Sequence, residues 1–406
     1  MNGFRTWVEI DKKALQGNME QFLKLIPEKT RLMAVVKSNA YGHGFTLVAK
    51  LLANFQFKIF PPKVDLRQRR MRLGSTSQAD NFQKIWFGVD SITEALALRR
   101  EGIKNPILVL GSTLPILFAE AIKENIIVTI SNFASLAALG KTKNRPVFHI
   151  KIDTGMHRQG FLPKDIFKLI KILKRFKLSP QGIYTHFAAA KDIAYPSYTL
   201  AQLEKFKSVV SEFRRAGFTS LIRHAAASGG TLLFPESHLD MARIGMSLYG
   251  YFPSLEAKLY LQDKVKLKPV LAWKMLIAEI KEIPAGSYVG YDLTEKVSRK
   301  TKIAVLPIGY WHGYDRGLSG IGEVLIRGRR AKVLGRVSMD MIVVDITDIN
   351  NKFKAQSSKV KTGSEVVLIG RQGKEEIWAD ELALKIGTSQ YEFLTRINPL
   401  IKRVVK

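Results

Sequence analysis

The sequence predicts an α/β protein, with an N-terminal (β/α)8 TIM-like barrel followed by a mainly-β C-terminal domain. Over the first ~250 residues short apolar runs alternate with helical patterns, and strand-like runs between Gly, Pro and charged turns dominate afterwards. The chain has 406 residues, which is too long for one ordinary domain, and its 46% hydrophobic content is enough for a large buried core. We therefore expect a barrel at residues 1–252 and a separate domain at residues 253–406. The first strand is a candidate to pack with the C-terminal domain.

Eight apolar runs are the expected barrel strands. Most of them are apolar throughout, as strands buried on both faces are. The runs are Leu32–Lys37, Ile85–Val89, Pro106–Leu110, Ile126–Ile130, Val147–Ile152, Gly182–His186, Leu221–Ala225 and Asp240–Met246. Helical patterns lie between them, for example at Ser91–Glu101, Pro163–Phe176 and Leu200–Ala216.

The pattern changes after Tyr249-Gly-Tyr-Phe-Pro253, where strand-like runs follow one another with little helix between them. A short helix is expected to begin near Asp380, which would cap it, and to end near Ile386. The expected strands are Val270–Ile283, Ile303–Ile308, Glu323–Ile326, Ala331–Leu334, Met341–Ile346 and Glu365–Ile369.

The charge balance is strongly basic, with 64 Lys and Arg against 35 Asp and Glu, a net charge of +29. Such a field attracts polyanions non-specifically. The excess is spread along the chain without an RNA-binding motif or zinc-finger spacing, so we expect no specific nucleic-acid partner. A basic insertion at about 57–83, containing Arg67-Gln-Arg-Arg70, interrupts the barrel pattern. It is expected to be solvated, and an anionic partner site is the alternative.

Features that the sequence lacks indicate its compartment and its metal content. No apolar run approaches the ~18 residues that span a membrane, and the first residues do not form a basic head before an apolar stretch. A cytoplasmic protein with no membrane partner is therefore expected. There is no cysteine, which excludes disulfides and thiolate metal sites, and we expect no metal.

The most informative stretch places a lysine where a strand ends. The apolar run Arg31-Leu-Met-Ala-Val-Val-Lys37 is followed by the turn Ser38-Asn-Ala-Tyr41-Gly-His-Gly44. In a barrel of alternating strands and helices this edge carries the chemistry. An amine partly withdrawn from water there is a better nucleophile, and its natural use is a Schiff base with an aldehyde. The alternative is an ordinary solvated loop lysine.

This stretch resembles the cofactor-lysine motif of alanine racemases, and further segments along almost the whole chain, apart from the insertion, resemble the same family. The resemblance implies pyridoxal 5′-phosphate as the cofactor, a barrel plus a β domain, and a homodimer whose active sites are built from both subunits. Lys37 would hold the cofactor aldehyde. Tyr41 would contact the cofactor phosphate, and a tyrosine four residues after a lysine at a helix start can lie on the same side.

Met241-Ala-Arg243-Ile-Gly245-Met246 resembles the family segment that contacts both ends of the cofactor. Arg243 would donate a hydrogen bond to the pyridine nitrogen. Because arginine stays charged, it keeps that nitrogen unprotonated, which disfavours side reactions such as transamination. Gly245 and Met246 would offer backbone N–H groups to the phosphate. The alternative for Arg243 is a salt-bridged barrel arginine.

Three further residues would touch the cofactor. Ser228 would add a hydroxyl at the phosphate, and the residue before it, Ala227, departs from the asparagine usual in the family. Tyr391, in Ser389-Gln-Tyr391-Glu-Phe, matches the tyrosine that reaches the phosphate. His186, in Tyr184-Thr-His186-Phe, matches a histidine lying against the cofactor ring, although a lone histidine at a strand end is more often part of a hydrogen-bonded core.

A second segment that closely resembles the family is Phe148-His-Ile-Lys151-Ile-Asp153-Thr-Gly-Met-His-Arg158. Arg158 would hold the substrate carboxylate or the phenolic oxygen of the cofactor with its planar guanidinium. Lys151 matches a position that many family members carbamylate, and the carbamate would orient Arg158. An unmodified interior lysine paired with an acid is the alternative.

The second domain would supply the other base. In Ser287-Tyr288-Val-Gly290-Tyr291-Asp292, Tyr291 matches the catalytic phenol, which the family takes from the neighbouring subunit. One base on each face of a planar carbanion inverts the centre directly. The resemblance implies that Lys37 would serve D-alanine and Tyr291 would serve L-alanine. Tyr288 is a rival for this role. Asp292 stands where the family has glycine.

Three more residues of the second domain have supporting roles in the family. In Gly335-Arg-Val-Ser-Met339-Asp340, Met339 would give a backbone N–H to the substrate carboxylate, and Asp340 would border the side from which substrate arrives. Tyr310, in Pro307-Ile-Gly-Tyr310, would stand at the mouth of the channel.

The resemblance implies a racemase that interconverts L-alanine and D-alanine and supplies D-alanine for peptidoglycan. A racemase for another small amino acid, such as serine, or of broad specificity is the alternative within the same chemistry. A pyridoxal-dependent decarboxylase is opposed by Arg243, because decarboxylation benefits from a protonated ring. A non-catalytic pyridoxal-binding barrel is the alternative of another class, and it would lack the second domain.

Overall fold

The computed structural model describes residues 3–55, 85–351 and 360–406. The predicted basic insertion at about 57–83 lies outside these residues. The chain forms two compact units. We call Leu15–Ser38 with Phe45–Lys268 the barrel unit, and Met1–Ala14 with Asn39–Gly44 and Pro269–Lys406 the β unit.

The barrel unit contains, in the described part of the chain, an eight-stranded sheet whose ladders are all parallel. The first seven strands pair in chain order, and the first also pairs with the eighth. The segments that carry the seventh and eighth strands are linked by backbone bonds from Asp240 N to Arg223 O (3.0 Å) and from Arg243 N to Ala226 O (3.1 Å). The strands are Arg31–Val35, Trp86–Val89, Ile107–Ser112, Ile127–Ile130, Phe148–Lys151, Gly182–Tyr184, Ile222–His224 and Met241–Ile244.

The predicted barrel is thereby confirmed, with strands shorter than their apolar runs except at Ile107–Ser112. The first strand ends at Val35, two residues before Lys37, because the residues that follow leave the extended conformation. Helices connect the strands, and Ser91 caps the one at Ile92–Arg100. The helices from Lys12 to Leu261 are Lys12–Leu25, Phe45–Ala53, Ile92–Arg100, Phe118–Lys123, Phe133–Lys141, Ile166–Arg175, Ser197–Arg215, Ser228–Leu233 and Leu255–Leu261.

Alternate residues of the barrel strands point inward and form a packed layer. Met33, Trp86, Leu108, Ile127 and Met241 are all buried in one such cluster. This apolar layer supports the polar residues that follow at the carboxyl ends of the same strands.

The β unit is built on a ten-stranded sheet, counted in the described residues. Its N-terminal strand, Thr6–Ile10, runs antiparallel to Leu271–Leu276 and parallel to Lys402–Val405. A separate two-stranded ribbon pairs Tyr288–Val289 with Glu295–Lys296. The other strands of the large sheet are Glu279–Ile283, Thr301–Leu306, Glu323–Ile326, Arg329–Leu334, Ile342–Asp345, Glu365–Gln372 and Glu375–Ile377. The helices of this unit are Thr347–Asn351, Ala379–Lys385 and Gln390–Thr395.

Two predictions for the β unit are wrong. The single strand expected at Val270–Ile283 is two strands, because the chain changes partner: Ile277 N donates to Ser364 O, whereas Ala278 N donates to Val305 O. Asp380 does not cap the helix after it. Trp378 occupies the cap position without a side-chain bond, and Asp380 lies in the first helical turn, where a negative charge is favourable.

Candidate active site

Lys37 stands just beyond the carboxyl end of the first barrel strand. Its side chain is 36% exposed, and its Nζ lies 3.3 Å from Oδ1 of Asp90, which follows the second strand. Val36 N still donates to Gly88 O at 2.9 Å, so the backbone is held in place up to the residue before the lysine. The amine is therefore partly withdrawn from water at the edge of the barrel where chemistry is expected.

The chain after Lys37 forms one turn of left-handed helix. Ser38, Asn39, Ala40 and Tyr41 have φ between +52° and +56°. Such a turn costs roughly 1–2 kcal/mol for each non-glycine residue. The helix expected at this point is present but has the opposite hand, so the right-handed spacing argument for Tyr41 does not apply. A run of strained residues directly after Lys37 indicates that the surrounding structure holds this backbone in place.

Arg243 comes from the eighth barrel strand and is 3% exposed. Its Nη2 donates to the carbonyls of Thr185 and Ala225, both at 2.8 Å, and its Nη1 donates to Nδ1 of His224 at 2.8 Å. A longer contact of 3.5 Å runs from Nη2 to Nδ1 of His186. Within the described residues the three shorter bonds use both N–H groups of Nη2 and one of Nη1, so the Nε–H and the second N–H of Nη1 remain for a ligand. No carboxylate contacts Arg243 among these bonds, so the predicted alternative of a salt-bridged arginine is wrong.

The hydrogen bonds continue from Arg243 through two buried histidines. Nε2 of His224 lies 2.9 Å from Nδ1 of His149, and Nε2 of His149 lies 3.2 Å from Oε1 of Gln181. Because Arg243 must donate to His224, each histidine accepts at Nδ1 and donates at Nε2. Gly182 makes room for this arrangement, since a Cβ there would approach the His149 ring to 2.5 Å.

Both histidines in this chain of bonds are neutral. Burial, together with the charge of Arg243, lowers the pKa of His149 to about 4. Burial also holds the pKa of His224 well below its ordinary value. The pKa of Arg243 itself falls to about 10 through burial, which leaves the guanidinium protonated near neutrality. The network therefore fixes one permanent cation whose charge cannot move along it as a proton.

Ser228, Gly245 and Met246 are neighbours. Ser228 Oγ accepts a hydrogen bond from Gly245 N at 3.0 Å, and its hydroxyl hydrogen stays available to a ligand. Ala227 occupies the cap position of the helix at Ser228–Leu233 and has no side-chain acceptor to offer. The departure at Ala227 therefore removes a polar group from this helix start.

Lys151, at the end of the fifth strand, is buried, and its Nζ donates to Oε1 of Gln159 at 2.8 Å. The hydrogen-bond partner is thus an amide oxygen, not the acid that the unmodified alternative expected. Burial, followed by the charges of Arg158, Arg243 and Lys37, lowers the pKa of Lys151 to about 8. A substantial fraction of this amine is neutral near physiological pH.

Arg158 follows a loop that Asp153 shapes. The Asp153 carboxylate accepts backbone N–H bonds from Gly155, His157 and Arg158 at 3.0–3.1 Å. The Arg158 side chain is exposed. It lines a pocket with Lys151, Ile152, Asp153, Met156, Gln159 and His186.

His186 lies among cations. Burial and the charges of Arg243, Arg158, Lys151 and Lys37 lower its pKa to about 3. Four basic side chains thus influence one another here, while the Asp153 carboxylate is occupied by backbone N–H groups. Such an excess of positive charge favours an anionic ligand.

In the β unit, Tyr41 and Tyr391 are in contact. Their ring centroids lie 6.2 Å apart in an edge-to-face arrangement. Gly42, the next residue, has φ +86°, and a Cβ there would collide with the backbone oxygen of Leu394. Burial raises the pKa of Tyr391 to about 12, so its phenol remains a hydrogen-bond donor.

Tyr291 begins a sharp turn and is 69% exposed. Gly290 precedes it with φ +76°, and Asp292 and Leu293 follow it with φ +61° and +52°. The Asp292 carboxylate lies 3.3 Å from Nε of Arg336. The aspartate therefore occupies a left-handed position, as the family glycine would, and gains an ion pair there. The rival Tyr288 is also exposed, and Nζ of Lys296 lies 5.3 Å from its ring centroid.

Tyr310 and Met339 belong to two loops joined through their backbones. Tyr310 N donates to Ser338 O at 3.0 Å, and Trp311 N donates to Met339 O at 3.1 Å. Gly309 permits this approach, because a Cβ there would collide with the backbone oxygens of Ser338 and Met339. Asp340 is half-exposed beside them. The predicted site residues thus form two groups, one in each unit.

Several residues of the barrel group were not found from the sequence. His149 lies two residues before Lys151, so strand alternation places the two side chains on the same face. Asp90 gave no such signal, because its partner Lys37 is 53 residues away in the chain.

The N-terminal domain model of the alanine racemases matches residues 10–60 and 75–253, and the C-terminal domain model matches residues 270–405. The chain belongs to the alanine racemase family. An alanine racemase of Leptospira interrogans (serovar Lai) is 35% identical over 408 residues, 99% of this chain and 96% of the relative. One from Symbiobacterium thermophilum is 37% identical over 409 residues, 99% and 98% of the two chains.

Solved structures agree. The crystal structure of alanine racemase from Bacillus anthracis with bound L-Ala-P has a TM-score of 0.84 and 31% identity, and the match covers 99% of this chain and 95% of that one. In the described part of this alanine racemase family member, no helix combines the length and apolar character needed to cross a bilayer.

Proposed function

We propose that this chain interconverts L-alanine and D-alanine with pyridoxal 5′-phosphate as its cofactor. The observation that carries the proposal, beside family membership, is Arg243. It is a buried donor that stays charged, and two of its N–H groups remain for a ligand. Its charge and that of Lys37 both lower the pKa of His186, which lines the pocket. Pyridoxal phosphate supplies an electron sink that makes the α-proton of a bound amino acid removable.

The donor set of the barrel unit fits this group. The Lys37 amine matches its aldehyde, and the reserve N–H groups of Arg243 match a pyridine nitrogen that has a lone pair to accept with. The Ser228 hydroxyl and the backbone N–H of Met246 match a phosphate, whereas the Gly245 N–H predicted for the same role is bonded to Ser228 Oγ. His186 would lie against the ring, and Tyr41 and Tyr391 would add phenol donors to the phosphate. The excess of basic side chains in the pocket balances the negative charge that the cofactor brings.

Arg243 would influence the chemistry because it does not give a proton to the ring nitrogen. Its neighbours His224 and His149 are neutral and accept at the nitrogen nearer to the arginine, so no proton can be passed to a ligand through them. A ring nitrogen facing Arg243 therefore stays unprotonated and withdraws electrons only moderately. This favours return of a proton to the α-carbon over side reactions that need a longer-lived carbanion.

Two bases are needed because inversion exchanges a proton on opposite faces of the α-carbon. We assign Lys37 to the α-proton of D-alanine and Tyr291 to that of L-alanine. The Arg158 guanidinium and the Met339 backbone N–H would hold the substrate carboxylate. Tyr310 and Asp340 would border the route by which alanine arrives.

Tyr291 would act on the site of a second subunit. Large side chains exposed in the same part of the β unit would be covered in a homodimer. They are Tyr288, Tyr291, Leu293, Trp311, Met339 and Met341.

A mixing experiment tests both the bases and the sharing of sites. Lys37→Ala and Tyr291→Phe should each abolish most racemisation of L-alanine, whereas Tyr288→Phe should retain it. Unfolding and refolding the two inactive variants together should restore up to about a quarter of native activity, because half of the dimers are mixed and each has one intact site. Absence of any recovery would show that Lys37 and Tyr291 of one chain serve the same site.

Isotope exchange tests which base serves which enantiomer. In deuterated water, Tyr291→Phe should slow exchange of the α-proton of L-alanine far more than that of D-alanine. Equal slowing of both would contradict the assignment. L-serine offered in the same assay tests the alternative of another small amino acid.

We also propose that Lys151 is carbamylated. Only a neutral amine reacts with carbon dioxide, and the pKa of about 8 makes that form available. The carbamate would be an anion placed to orient Arg158. Isotopically labelled bicarbonate should give a carbamate signal in the native protein that Lys151→Met abolishes. No signal in the native protein would leave Lys151 as an amine bonded to Gln159.

A further inference from the structure

Glu94 joins two loops at the carboxyl edge of the barrel. Its Oε1 accepts a hydrogen bond from Ser38 N at 2.8 Å, and its Oε2 accepts one from Asp90 N at 2.7 Å. Ser38 directly follows Lys37, and Asp90 directly follows the second barrel strand. One carboxylate thus binds the backbone of the residue after Lys37 and the backbone of Asp90, whose side chain contacts the Lys37 amine.

The backbone that Glu94 holds at Ser38 is strained. Ser38 is the first of four successive residues with positive φ. A left-handed turn of non-glycine residues persists only where the surroundings specify it. A bond from a backbone N–H to a carboxylate is roughly twice as strong as one between neutral groups, so Glu94 is well suited to fix the start of this turn.

The second bond of Glu94 acts on the partner of the lysine. Asp90 is the residue whose carboxylate lies 3.3 Å from Lys37 Nζ. Because Glu94 also holds the Asp90 backbone, it sets both the point where the Lys37 side chain leaves the chain and the position of the group that the amine contacts.

Capping of its own helix does not account for Glu94. It is the third residue of the helix at Ile92–Arg100, and Ser91 Oγ accepts from Glu94 N at 3.2 Å. In a complete capping box the glutamate would reach back to the Ser91 N–H. Here both of its carboxylate oxygens accept from Ser38 and Asp90 instead, so the cap and the contact with the Lys37 loop can be separated by mutation.

We propose that Glu94 is a positioning residue that aligns Lys37 for reaction with the cofactor aldehyde. This inference rests on the proposed role of Lys37. Glu94→Gln has nearly the same shape but only one acceptor oxygen, and its amide would face one of the two backbone N–H groups. Ser91→Ala is the matched control, because it weakens the same helix start and leaves both oxygens of Glu94 in place.

The test measures cofactor binding on purified protein stripped of cofactor. Pyridoxal phosphate is added, and the visible absorbance of the lysine adduct gives its rate of formation and the apparent Kd. We expect Glu94→Gln to weaken binding by about tenfold or more, from the loss of one hydrogen bond to a charged group. Ser91→Ala should bind the cofactor as the native protein does, although its thermal midpoint falls.

Hydrogen exchange of the peptide around Ser38 gives a readout without cofactor. Amide exchange there should be faster in Glu94→Gln than in the native protein and unchanged in Ser91→Ala. The inference is overturned if Glu94→Gln binds the cofactor as tightly as the native protein, or if Ser91→Ala loses affinity equally. If the native protein forms no adduct at all, the proposed function fails first and this inference fails with it.

Discussion

Arg243 donates a hydrogen bond across 2.8 Å to Nδ1 of His224, a buried histidine nineteen residues earlier in the chain. That bond fixes the direction of every donor behind it, through His149 to Gln181. The arginine is therefore held in one orientation by neutral partners. A cation held in this way would polarise the ring nitrogen of the proposed cofactor without protonating it.

Replacing Arg243 by lysine keeps the charge but loses the planar group that makes three bonds. A lysine can also release its proton, which an arginine does not. We expect turnover of L-alanine to fall by at least about tenfold and the share of keto acid by-product to rise. Both are measured in one chromatographic assay. Arg223→Lys, on the neighbouring strand, should change neither, and a variant at Arg243 with native turnover and no keto acid would contradict the assigned role.

Stability should depend on pH through the buried histidines. Burial lowers the pKa of His149 to about 4 and that of His43 to about 3, whereas the unfolded chain has ordinary values near ~6.5. As pH falls below ~6.5 the unfolded state takes up protons that the folded state does not, so stability is complete above that value and is lost toward pH ~4.

Urea unfolding between pH 7 and 5 checks this expectation. Each such histidine contributes a slope of up to about 1.4 kcal/mol per pH unit. His149→Gln should reduce the slope by one histidine's share. An unchanged slope in that variant would contradict the buried, neutral state of His149.

Two glycines near Tyr41 should respond differently to alanine. Gly42 and Gly44 both have positive φ, but a Cβ on Gly42 would lie 2.0 Å from the backbone oxygen of Leu394, whereas one on Gly44 would lie 3.2 Å from Cγ of Arg403. We expect Gly44→Ala to cost about 1–2 kcal/mol and Gly42→Ala more than about 3 kcal/mol in unfolding free energy. Denaturant titration measures both. Similar costs for the two variants would mean that the backbone contact at Leu394 is not specific.

Asp292 allows a test of the turn that carries Tyr291. Asp292→Gly removes the strain of a positive φ and also removes the ion pair with Arg336, which is exposed and worth about 0–1 kcal/mol. The two effects should nearly cancel. Asp292→Ala loses the ion pair and keeps the strain, so it should be less stable than the glycine variant by about 1 kcal/mol. Equal stability of the two variants would contradict the left-handed conformation of this residue.

The barrel could be predicted from the sequence because its strands are continuous apolar runs, and burial on both faces leaves few other structures for such runs. The break at Ile277 could not, because it depends on where Ser364 and Val305 lie. The left-handed turn after Lys37 could not either, since asparagine favours this conformation only as a single residue and serine, alanine and tyrosine do not favour it.

The candidate site also contains residues that the sequence indicated and residues that it did not. Lys37, Arg243 and Tyr291 stand in recognisable strings, so their types and order indicated a chemistry. Glu94 and Asp90 act through the folded backbone of distant loops. Their roles depend on which strand ends are neighbours. The neighbouring strand ends are known only once the strand order of the barrel is known.

The most direct test of the account is to identify the lysine that binds the cofactor. The native protein is loaded with pyridoxal phosphate and treated with borohydride, and its peptides are mapped by mass spectrometry. The cofactor mass should be fixed on Lys37, within the peptide that contains Tyr41, and should be absent from Lys37→Ala. A label on Lys151 or on any other lysine, or no label at all, would contradict the central claim.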